Sequence, residues 1–183
     1  MKVSREQMVE NRSRILAQAA RLFREKGFEA VSVAEVMKAA GLTHGGFYGH
    51  FASKDDLIAQ TMAHALAGEE AQARGFDAFL SAYLSPAHRD APATGCPTAA
   101  FASDARRQTP DARAAMAAGV GAQIARIAES LEQQGVADAR TAAIGSWSAA
   151  VGAMILARAV EDKALSDEIL AQTKNWITAA LNP

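Results

Sequence analysis

The stretch "GLTHGGFYGHFASKDDL", Gly41 to Leu57, sets glycines at 41, 45, 46 and 49 among His44, Phe47, Tyr48, His50 and Phe51. A backbone loosened where the chain displays its most interactive side chains admits three readings: a phosphate-cradling loop, a metal site on His44 and His50, or a short helix pressed against another molecule. A Walker-type loop needs a preceding strand and a Gly-Lys-Ser/Thr close, and this segment has neither. The two histidines are six residues apart, about 120° off a common helical face, and no His or Cys partner lies near them, so a metal site is not expected. The third reading remains, and the flanking sequence supports it.

Upstream, Ile15, Leu16, Ala19, Leu22 and Phe23 recur at helical spacing between Ser4 and Lys26, with Ser4 and Gln7 as a capping pair and Gly27 as the stop. Ser32-Val-Ala-Glu35 is a second capping pair, opening a helix from Val33 that ends at Gly41. "GLT" then reads as a turn and Thr43 as the N-cap of a short helix from His44 to about Phe51. Ser53-Lys-Asp-Asp56 repeats the cap before a long helix through about Ala71. The pattern is a helix-turn-helix. Phe47 and Phe51 are predicted to face inward, leaving Thr43, His44, Gly45, Tyr48 and Gly49 outward. Each interior glycine costs a helix about 1 kcal/mol against alanine, so three of them burden this one by roughly 2 to 3 kcal/mol. Close approach of a duplex backbone is a physical reason to keep them.

The composition agrees. At 183 residues the chain is long enough to bury roughly 70% of its unfolded surface. Half the residues are hydrophobic but only 6% aromatic, an alanine- and leucine-weighted mixture that favours helix over strand. Residues 1–26 carry seven Lys and Arg against three Glu, a local +4 on a chain of net −1, which points to an anionic partner at that end. The single cysteine, Cys96, rules out an internal disulfide and suits a reducing compartment. With a charged beginning that lacks an apolar leader core, this predicts a cytoplasmic protein.

The run "ILAQAARLFREKGFEAVSVAEVMKAAGLTHGGFYGHFASKDDLI" closely resembles the N-terminal DNA-binding domain of TetR-type (TetR/AcrR) bacterial transcriptional regulators, the closing pattern Phe-Tyr-x-His-Phe-x-Ser-Lys-x-x-Leu being the specific part. The resemblance implies an all-α fold: a three-helix head, residues 1–52, and a helical effector-binding and dimerisation body, residues 53–183, about nine helices in all. It implies a homodimer on a palindromic operator in double-stranded DNA, released by an inducer, with no cofactor, metal or catalytic residue. By the same resemblance Ser32, Val33, Thr43, His44, Gly45, Tyr48, His50 and Lys54 are the expected DNA contacts. Lys54 at a helix start, Tyr48 and His50 suit phosphate oxygens, which leaves Thr43 and His44 for base edges. An N-cap role for Thr43 and a solvent-facing His44 are the plainer alternatives. The recognition helix carries fewer side chains than the family usually places there, so DNA shape and bridging waters are expected to supply more of the specificity.

In the body, "FDAFLSAYL" predicts a helix, "SPAHRDAPATGCP" a loop, and four further periodic segments follow, the last opening at Ser166. The 17 uncharged residues between Arg140 and Arg158 are too rich in alanine, glycine and serine for a membrane span and read as a buried helix. This helix and the last, with its stripe Ile169, Thr173, Trp176, Ile177 and Ala180, are expected to pair with their own copies. Cys96 precedes Pro97 at a helix start, a place that stabilises a thiolate, and resembles a Gly-Cys helix start in a subset of the family that responds to electrophiles or oxidants; a small buried hydrophobe is the bland alternative. Expected walls for a small inducer are Phe79, Tyr83, Phe101, Met116, Trp147 and Met154, around an apolar or uncharged ligand since no buried charge cluster is evident. Against these stand an enzyme, for which no Gly-x-Ser-x-Gly, His-Glu-x-x-His or P-loop lysine is present, and a helical adaptor that binds only proteins.

Overall fold

The computed structural model describes residues 4–67 and 75–181, and every regular element among them is helical. In chain order these are α1 (Arg5–Ala30), α2 (Val33–Ala39), a 3-10 helix (His44–Gly49), α3 (Lys54–Ala67), α4 (Gly75–Tyr83), α5 (Pro86–Arg89), a 3-10 turn (Pro92–Thr94), α6 (Pro97–Ala105), α7 (Pro110–Gln133), α8 (Ala139–Ala159) and α9 (Lys163–Leu181). The expected all-α architecture is present.

The predicted starts hold, but with different chemistry. Ser4, Ser32 and Ser53 each accept the backbone N–H three residues on, at 3.1 Å. The reciprocal half of the box is missing at the first two. Gln7 donates to Glu10 and Asn11, and the Glu35 carboxylate takes Lys26 Nζ at 2.7 Å. Only Asp56 turns back, accepting the Ala52 N–H at 2.9 Å. Gly27, at φ +79°, breaks α1 as expected and lets Phe28 turn into the core.

Two segments depart from the sequence reading. The stretch expected to be a plain loop contains α5 and the 3-10 turn, because Ser85 caps the His88 N–H and prolines at 86 and 92 each sit in a first turn. α9 begins at Lys163, where Asp162 Oδ1 accepts the N–H groups of Ala164 and Leu165. Ser166 is not its cap. Its buried hydroxyl instead donates to the Ala157 carbonyl at 2.7 Å. The expected continuation of α3 to Ala71 lies outside the described residues.

Two apolar clusters fill the molecule. The first joins α1, α2, the 3-10 helix, α3, α6 and the start of α7 around Phe23, Phe28, Phe47, Phe51 and Phe101. The second joins α4, the loop after it, α7, α8 and α9 around Tyr83, Trp147, Met154 and a row of alanines. α3 lies in the first cluster and seats Leu66 directly on α7. A Cβ at Gly119 would lie 2.5 Å from that of Leu66, so only glycine allows the two helices to approach this closely. α8 is long and apolar enough to cross a membrane, but its Ala143, Trp147, Ala150, Met154 and Ala157 are buried in the second cluster, as in the core helix of a folded domain.

Candidate nucleic-acid interface

The turn before the 3-10 helix is fixed by backbone chemistry. α2 ends with the Leu42 N–H on the Met37 carbonyl at 2.9 Å and the Gly41 N–H on the Lys38 carbonyl at 3.0 Å, a Schellman motif. Gly41 stands in the left-handed region at φ +69°. This is why a glycine opens the turn.

The segment that follows is a 3-10 helix rather than the α-helix expected, and it stops at Gly49. Three glycines weaken helical propagation, and the tighter i to i+3 bonds need fewer helical residues in a row. The facing holds nevertheless. Phe47 and Phe51 are buried and stacked at 5.6 Å, while Thr43, His44, Gly45, Tyr48 and Gly49 are exposed. Tyr48 is 72% exposed, its ring held edge-on by Phe47 at 5.3 Å. Gly45 faces open space; side-chain carbons at Gly46 and Gly49 would meet Met37 and Met8 at ordinary contact distances of 3.8 and 3.9 Å. The fold itself therefore leaves room for a larger residue at all three positions.

Around this surface, Ser32 is exposed and spends its hydroxyl on the cap of α2, and Val33 is half-buried against the first cluster. Thr43 occupies the N-cap position without a side-chain cap bond, so its hydroxyl is available to a ligand. Lys54 reaches the Glu29 carbonyl at 3.4 Å. His50 is half-buried, and burial, reinforced by the nearby Arg12 cation, pushes its imidazole below the usual histidine range. Its neutral ring has one N–H to donate. Arg12 was not singled out by sequence reasoning: it belongs to a helix whose basic residues look alike until the fold shows which one turns inward.

In the body, Phe79, Tyr83, Trp147 and Met154 share the second cluster, but Phe101 and Met116 belong to the first, where Phe101 packs on Phe28 at 5.1 Å. The six expected pocket residues are thus divided between two cores. No cluster of buried charges was expected, and the body buries one charge whose carboxylate partners are exposed. Arg89 is buried, donating to Asp90, Asp167 and Ser166, and half-buried Arg158 donates to the carbonyls of His88 and Arg89 at 2.9 and 3.1 Å. Cys96 is 4% exposed at the N-cap of α6, its Sγ accepting the Ala99 N–H at 3.4 Å and its own N–H donating to His88 Nε2 at 3.0 Å. His88 Nδ1 lies 2.7 Å from the Tyr83 carbonyl, an acceptor only, so Nδ1 carries the proton and Nε2 is bare.

Residues 15–61 match the family model of bacterial regulatory proteins of the tetR family, and residues 71–172, more than half the chain, match that of the transcriptional regulator LmrA/YxaF-like C-terminal domain. The chain belongs to the TetR family of transcriptional regulators. Among its relatives, the HTH-type transcriptional regulator AcrR of Shigella flexneri is 40% identical over 57 residues, 31% of this chain and 26% of AcrR. The chain thus spans about a quarter of that relative's length. The fold of this TetR-family protein is also that of a regulator from Cytophaga hutchinsonii, at TM-score 0.75 and 19% identity over 98% of both chains. E. coli NemR in its reduced form is similar at TM-score 0.70 and 20% identity, covering 92% of this chain and 95% of NemR. The exposed, glycine-lightened 3-10 helix lies within the residues that match the tetR-family model.

Proposed function

We propose that this TetR-family regulator binds a palindromic operator as a homodimer, with a head of residues 1–52 and a body of residues 53–183, and acts as a cytoplasmic repressor. Thr43 and His44 read base edges; Ser32, Val33, Gly45, Tyr48, His50 and Lys54 seat the duplex backbone. The observation that carries this reading is the recognition surface itself: phenylalanines turned in, free polar groups turned out, and open space over Gly45 where a phosphate backbone fits. The exposed Ile144, Ile155, Leu156, Leu165 and Trp176 on α8 and α9 support the dimer, since a second copy would cover them.

The trigger for release is a small molecule in the body or modification of Cys96. The cysteine reading is supported by the Ala99 N–H aimed at its sulfur and by the Arg158 cation close enough to interact with it. The test is selection of bound sequences from random duplexes, with and without an electrophile, using wild type, Cys96→Ser and His44→Ala. Binding should weaken steeply with salt, His44→Ala should lose about 1 to 3 kcal/mol of discrimination at one base pair of each half-site, and Cys96→Ser should stay bound in the electrophile. A wild type that selects no sequence removes the DNA reading, and an electrophile-responsive Cys96→Ser removes the cysteine trigger.

A further inference from the structure

The guanidinium of Arg12 on α1 holds three groups at once. One terminal nitrogen donates to the His50 carbonyl at 2.5 Å, the other donates to Gln60 Oε1, and the group lies over the Phe51 ring, 4.6 Å from its centroid. Gln60 in turn donates to Asp56 Oδ1 at 2.6 Å, and Asp56 Oδ2 accepts the Ala52 N–H at 2.9 Å. The carbonyl before Phe51 and the amide after it are thus tied to side chains from two other helices.

The recognition segment needs such ties. It is one short 3-10 helix with three glycines and no side-chain cap, so its own bonds fix its tilt poorly. An arginine suits the junction because its planar fork serves two acceptors while its face covers a ring; a lysine ammonium, a compact point charge, does not reproduce that geometry.

We propose that Arg12 is the positioning residue of the DNA-reading surface: by joining His50 to Gln60 it fixes the 44–49 segment against α3, so that the orientation of α3 decides where His44 and Tyr48 point. The proposal rests on the DNA reading above.

The test uses the full chain, a duplex selected by the wild type, and a random duplex of the same length. Affinities are measured across a salt series for wild type, Arg12→Lys, Arg12→Gln, Gln60→Leu and Arg12→Gln/Gln60→Leu, with thermal unfolding alongside. Arg12→Lys and Arg12→Gln should each lower the ratio of specific to non-specific affinity about tenfold or more while leaving the non-specific salt slope unchanged. Gln60→Leu, which keeps the charge and the ring contact, should show most of the same loss, and the double variant little more. Full specificity in Arg12→Lys would overturn the proposal by showing that charge alone suffices. A salt slope shallower by about one in Arg12→Gln, with uniform loss on both duplexes, would make Arg12 a phosphate contact instead. Additive effects of the two substitutions would also overturn it. A wild type that selects no duplex would bring down the underlying DNA reading, a separate and recognisable failure.

Discussion

The head and the α8–α9 pair solve opposite problems with their apolar residues. In the head, Phe23, Phe28, Phe47 and Phe51 are all buried, and apart from Val9 and Tyr48 the outward surface is left to small and polar groups. On α8, alanines fill the inside beside Trp147 and Met154, while Leu156 and, on α9, Trp176 stand 56% and 62% exposed. The head is complete within one chain, and what it offers a partner is hydrogen bonding and close approach. The C-terminal pair leaves large apolar side chains exposed, and what it offers is area to bury. A surface of the first kind suits a polyanion, and one of the second suits a copy of itself.

The comparison can be broken first in the head. Phe47→Ala removes a fully buried ring from the stacked pair and should cost about 3 to 5 kcal/mol in urea denaturation. A loss below about 1 kcal/mol would mean that the first cluster does not depend on the recognition segment. At the other end, Leu156→Asp with Trp176→Asp should yield a folded monomer by analytical ultracentrifugation, with operator affinity down about a hundredfold, near 2.7 kcal/mol. A dimer that survives both charges would place the interface elsewhere. Gly119→Ala tests the contact of α3 with α7, which lies between the two regions: its methyl has no room beside Leu66, and overpacking should cost about 1 to 3 kcal/mol. The smallest effect is at His88. Burial first, with Arg158 adding to it, lowers its basicity, so below about pH 6.5 the unfolded chain takes up a proton that the fold resists. Stability should therefore fall as pH drops below about 6.5, and His88→Gln should flatten that part of the profile. An unchanged slope would show that His88 is not neutral in the fold.

The head was legible because its signals are local. Ser32 and Ser53 each bond the N–H three residues on, Gly41 is needed for a left-handed turn, and Phe47 and Phe51 share a face about one turn apart. The exposed recognition residues followed from that spacing. The body was less legible because its signals are pairwise. Phe101 and Met116 read like the other apolar residues of an alanine-rich bundle, and nothing in their neighbours says which of two cores they enter. The Arg89 contact with Asp167 and the Arg158 contact with His88 join residues 78 and 70 positions apart. Arg12 belongs to the same class, since its partners His50 and Gln60 lie 38 and 48 positions away.

The amino-acid order alone therefore determined the helical class, the caps, the turn and the outward face of the recognition segment, all consequences of bonds and periodicities spanning a few residues. Tertiary structure decided that the segment is a 3-10 helix, that Phe101 and Met116 enter a different core from Tyr83, Trp147 and Met154, and which one of several arginines pins the head to α3. Those outcomes depend on which distant groups compete for the same space and the same hydrogen-bond donors, and that competition exists only once the chain is folded.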